Sequence, residues 1–175
     1  MVRIVRDPAR SKAWAQVRRA SFRIVLSVTA LLCTYYLLPA RAGSNLPWLL
    51  LVLGAFATVV ALQVPFIIRS NFPVIRALEA LALAIPTFIL IFARGYLSAS
   101  LDNPGAFSET LDHTDALYFT VSTFATVGYG DIIAQSESMK LAVTAQIMLD
   151  LVILGVVVRL FTTAARRGLT AQGRS

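Results

Sequence analysis

Thr126-Val127-Gly128-Tyr129-Gly130-Asp131 is the stretch of this chain whose residue types and order suit a chemical task. Gly128 and Gly130 accept positive φ at little cost, so the backbone there can leave ordinary extended geometry and turn successive carbonyls to one side. A ladder of carbonyl oxygens can replace the hydration shell of a cation without carrying full charge. In such a ladder the Val127 and Tyr129 side chains turn away from the ion path and brace the strand. The Thr126 hydroxyl adds an oxygen at one end. Gly-Tyr-Gly by itself would mark only a tight turn, so the elements around it must decide.

Those elements are apolar. Of the 175 residues 57% are hydrophobic and 14% charged, and the mean hydropathy is +0.72, far above that of a soluble domain. Four apolar runs, 21–40, 47–68, 74–97 and about 139–161, each approach the roughly 20 residues that cross a bilayer core. Between the third and fourth lies residues 98–138, polar at first, moderately apolar over 116–125, then glycine-bearing. It is too short to cross and return as two helices. It reads as a re-entrant loop, which membranes tolerate where protein or a water-filled cavity surrounds it.

The net charge of +7 comes from basic residues that flank the apolar runs. This argues for membrane topology and against nucleic acid, which needs a basic stripe on a water-soluble face. Arginines and Lys12 before the first run, Arg69 and Arg76 between the second and third, and Arg159, Arg166, Arg167 and Arg174 near the end predict cytoplasmic termini. The opposite side holds Arg41, Arg94 and Lys140, with Asp102, Glu109, Asp112, Asp115, Asp131 and Glu137 around the loop. Residues 1–20 read as a cytoplasmic segment, with an interfacial helix or a basic tail over 7–20. Cys33 is alone, so it builds neither a disulfide nor a cysteine metal site within one chain and reads as a small buried hydrophobe. No pairing of nucleophile and base is visible.

The segment 115–131, DALYFTVSTFATVGYGD, resembles the pore helix and signature filter of the tetrameric potassium channels, and the short chain resembles their bacterial-type subunits. The resemblance covers 74–161 and implies an all-α membrane protein with the potassium-channel pore fold: four transmembrane helices, with a re-entrant pore helix and selectivity filter between the third and fourth. The expected pore domain is 74–163, with outer helix 74–97, pore helix 114–125, filter 126–131 and inner helix 139–163. Residues 21–70 would be two peripheral spans and 164–175 a short cytoplasmic tail. Thr126, Val127, Gly128 and Tyr129 would bind permeant K+, with Gly130, Asp131, Tyr118 and Ser122 supporting the filter. One loop per chain implies a homotetramer around the filter axis.

Several residues depart from the family pattern. Tyr118, Phe119 and Ser122 stand where many members carry Trp, Glu or Val, and Ala125 replaces a frequent Thr. Asp131 is expected to accept a hydrogen bond from Tyr118 or Ser122, because a carboxylate there needs partners. Asp150 falls where many relatives have a hinge glycine, and three readings stand open. It faces a water-filled cavity, or it bonds a hydroxyl of Ser122 or Thr123, or it sits neutral in a packed interface. Gly155 reads as close helix packing, with a hinge as the alternative. Glu79 is expected to pair with Arg76 or Arg159, and His113 to be an exposed loop residue or a site where a proton alters the local potential.

The expectation is a potassium-selective, multi-pass channel subunit of the cell membrane, passive and non-enzymatic. It has membrane lipids, anionic ones included, as surroundings, and no cofactor, nucleic acid or small-molecule substrate. The alternatives are a weakly selective cation channel and a non-conducting regulatory membrane subunit.

Overall fold

The computed structural model describes residues 8–39, 46–69 and 73–172. They form five helices: α1 (Pro8–Leu37), α2 (Leu46–Ile68), α3 (Pro73–Asp102), α4 (His113–Phe124) and α5 (Glu137–Gln172). Three contain segments long and apolar enough to cross a membrane, namely Leu49–Ile67, Arg76–Asp102 and Glu137–Leu160. The first apolar run is shorter, Ser21–Leu37, and forms the second half of α1. The basic residues before it belong to that same helix, which runs unbroken from Pro8, so 8–20 is neither a separate interfacial helix nor an irregular tail. Likewise α5 continues as helix through the segment expected to be a short tail, as far as Gln172.

The third helix is the hub, touching all four others. Leu90 and Ala93 pack on Tyr35 of α1, and an aromatic face meets α2 and α4. Phe88, Phe92 and Tyr96 recur at i, i+4 and i+8, which sets them on one stripe, and all three are buried. Tyr96 meets Phe107 of the loop after α3 at 5.7 Å and Phe119 of α4 at 5.3 Å, and Phe107 meets Phe119 at 5.4 Å, all edge-on. Edge-to-face rings at such distances are the favoured arrangement of aromatic pairs.

The loops on either side of α4 are pinned to each other. Phe107 and Ala134 form an antiparallel bridge. The Ser108 amide donates to the Ile133 carbonyl and the Gln135 amide to the Ala106 carbonyl, both at 2.9 Å. Leu111 enters α4 with its amide bonded to Ser100 Oγ at 2.8 Å. The short helix and the segment after it are therefore framed at both ends.

Candidate functional site

A capping box starts α4. The Asp112 carboxylate accepts from the amides of Thr114 at 2.6 Å and Asp115 at 2.8 Å, and Asp115 accepts in return from the Asp112 amide at 3.0 Å. These bonds satisfy donors that a helix start leaves open. They also hold the Asp112 carboxyl below the usual carboxylate range, the Asp115 amide first among the causes. Twelve residues long, α4 measures about 18 Å, too short to cross a bilayer core.

At its other end the helix turns directly into the candidate filter. The Thr126 amide donates to the Thr123 carbonyl at 2.9 Å, and the amides of Val127 and Gly128 donate to the Ser122 carbonyl at 2.9 and 3.3 Å. The N–H groups thus point back into α4. Positive φ occurs at Thr126 (57°), Gly128 (57°) and Gly130 (78°), with Val127 and Tyr129 between them in the ordinary range. Alternation of handedness along successive residues turns the N–H groups to one side and the carbonyls to the other. Among the described residues no hydrogen bond ends on the carbonyls of 126–130. Thr126 is the surprise, because a β-branched residue in the left-handed region is a true outlier, and such strain gathers at functional sites. The glycines announced the geometry at two positions, whereas nothing in the residue type announced it at Thr126.

Behind the strand, Tyr118 Oη donates to Asp131 Oδ2 at 2.7 Å, and the Ile132 amide to Asp131 Oδ1 at 3.0 Å. The Tyr118 hydroxyl holds the Asp131 carboxyl below the usual range, and the same bond pushes the Tyr118 phenol up to about 12. Tyr118 and Tyr129 stack with centroids 6.1 Å apart and planes 8° from parallel. Ser122 is buried and does not reach Asp131; its hydroxyl bonds the Phe119 carbonyl at 3.0 Å.

Asp150 lies elsewhere than two of its readings supposed. It is 5% exposed within a single chain, so it does not open toward a cavity. Nor does it meet Ser122 or Thr123, since both hydroxyls bond the Phe119 carbonyl. Its Oδ2 accepts from Gln146 Nε2 at 3.4 Å, and its Oδ1 has no partner. Gln146, fully buried, also accepts from Tyr96 Oη at 2.7 Å and donates to the Thr120 carbonyl at 3.3 Å. One amide thereby ties α3, α4 and α5 together. Residue-by-residue reading passed over Gln146, though its i, i+4 spacing to Asp150 was a usable signal.

Gly155 is exposed, and a Cβ there would meet nothing within 4 Å, so no close packing within the chain demands glycine. Cys33 is exposed on α1 rather than buried. Glu79 pairs with Arg76 at a loose 3.9 Å, a separation at which a partly exposed pair contributes little. Among the described residues no group of three or more His, Cys, Asp or Glu side chains is arranged to hold a metal ion.

Residues 81–167 match a family model described as an ion channel. The matched stretch, just under half of the chain, is similar to ion channels and takes in most of α3, all of α4 and the candidate filter, and most of α5. Searches of curated proteins and of solved structures gave no match.

Proposed function

We propose that four copies of this chain form a potassium-selective channel, with the carbonyls of Thr126, Val127, Gly128 and Tyr129 lining the ion path on the symmetry axis. The alternation of positive φ at Thr126, Gly128 and Gly130 carries this reading. It turns N–H groups into the end of α4 and frees the opposite row of carbonyls to stand in for water around a dehydrated cation.

Each neighbouring feature has a task in that scheme. The carboxyl end of α4 meets the strand, so its dipole favours a cation nearby. The Tyr118–Asp131 bond and the Tyr118–Tyr129 stack brace the strand from behind, which sets its diameter. In this reading α4 is re-entrant, α3 is the outer helix and α5 the inner helix. The apolar parts of α1 and α2 then supply two further spans, with both termini cytoplasmic in the cell membrane. Ions move passively down their gradient, and no cofactor takes part.

Bi-ionic reversal potentials of the purified chain in bilayers test the reading. A strong preference for K+ over Na+ is expected. A permeability ratio near one would replace it with a weakly selective cation channel, and absence of flux from a correctly assembled tetramer would favour a non-conducting regulatory subunit.

A further inference from the structure

Three elements meet where α1 ends. Tyr35, buried near that end, donates its hydroxyl to the His113 carbonyl at 2.7 Å, and its ring lies edge-on to the imidazole at 5.5 Å. The Tyr36 ring stacks on the same imidazole at 6.1 Å. From α3, Arg94 donates to the Leu38 carbonyl at 3.0 Å and also to the Pro39 carbonyl. His113 Nε2 stands 3.5 Å from that Leu38 oxygen. Since His113 is the first residue of α4, the Leu38 carbonyl just beyond α1 is approached by a guanidinium from α3 and an imidazole from the helix that leads into the candidate filter.

The last carbonyls of a helix have no partner within it, and they attract cations. A neutral imidazole can donate to Leu38 only in the tautomer with its hydrogen on Nε2, whereas an imidazolium always can. The charged groups that face His113 are Asp112 and Asp115 in its own helix start and Arg94 of α3. From α1, Tyr35 and Tyr36 supply ring contacts.

We propose that α1 is a regulatory strut for the pore loop: its end is latched to the start of α4 through Tyr35, Arg94 and His113, and a proton on His113 tightens the latch and raises ion flux. The inference rests on the channel reading above for its effect on flux, although the latch itself does not. A rigid helix passes the position of its start to its end, where the Thr126, Val127 and Gly128 amides are bonded. Histidine is the side chain whose ordinary titration falls in the physiological range. Asp112 and Asp131, both held below the usual carboxylate range, stay ionised through that range.

The test is planar-bilayer recording of the full chain with K+ as the permeant ion, lowering pH from about 7.5 to about 5.5 on each side in turn. Acidifying one side alone should raise the current about threefold, and His113→Gln should keep the current seen at the higher pH while losing the rise. A rise that survives in His113→Gln, or no rise in the unaltered protein, overturns the proposal. If the chain carries no current at all, the channel reading fails instead, and hydrogen exchange judges the latch. Corrected for intrinsic pH dependence, amides of residues 114–118 should exchange about threefold more slowly at the lower pH in the unaltered protein only. Equal exchange in His113→Gln and the unaltered protein overturns it.

Discussion

Between residues 88 and 142 the chain closes around itself, whereas from 151 to 160 the helix α5 has no buried side chain. In the first region Phe92, Tyr96, Phe107 and Thr120 are each almost wholly covered by their own chain. In the second, Leu151, Val152, Leu154, Val156 and Val158 are about half exposed or more. A single chain thus finishes the support of the candidate filter but leaves that strand and the far half of α5 open, Tyr129 being 70% exposed. Framing is local, and whatever covers these apolar faces, lipid or further copies, lies outside the chain.

The sharpest way to break this contrast is at the strand itself. On the channel reading proposed above, Gly128→Ala should abolish K+ flux, because φ is +57° there and a Cβ in the left-handed region costs about 1–2 kcal/mol in every copy. Liposome flux would read this, and the expected cause is conformation rather than crowding, since an added Cβ meets nothing within 4 Å.

Thermal unfolding in detergent compares the two regions directly. Phe107→Ala should destabilise by about 3–5 kcal/mol through the cavity left among aromatic rings. Val156→Ala should cost far less in the isolated chain, and equal losses would mean that the second region is packed after all. Tyr96→Phe is next in size. It strands the Gln146 carbonyl oxygen in a buried setting, at a cost of about 1–3 kcal/mol, measurable by the same melt.

Acid should act on the framed end. The folded-state carboxyls of Asp112 and Asp131 are lowered, so their contribution is present above the unfolded value of about 3.9 and is lost as pH falls through the lower folded value. Melting temperature should hold between about pH 8 and 5 on their account and fall below about pH 4, less so in Asp131→Asn. Smallest of all, Glu79→Gln should shift stability by no more than about 0.5 kcal/mol, given a 3.9 Å pair whose Arg76 is 60% exposed.

Much of the helix order was legible because hydropathy and glycine spacing are local signals. The run of 47–68 became Leu46–Ile68, and the expected pore helix 114–125 became His113–Phe124. The Asp112–Asp115 capping pair was missed, though an acid three residues before another at a helix start was a usable signal. Two kinds of fact were not legible. One was how far α1 and α5 extend, because polar flanks can be helix or tail and the choice is made by continuity with an apolar run. The other was which polar partner each side chain takes.

What the residues determined unaided was therefore the set of apolar helices, a short helix between two of them, and a glycine-marked strand able to present carbonyls. Apolar length and tolerance of positive φ belong to the residues themselves. Only the tertiary structure decided that Asp131 takes Tyr118 and not Ser122, that Asp150 turns to Gln146, that Thr126 shares the left-handed geometry of the glycines, and that the end of α1 meets His113. Those choices depend on hydrogen-bond reach between residues up to tens of positions apart, and the aromatic packing around α3 sets that reach.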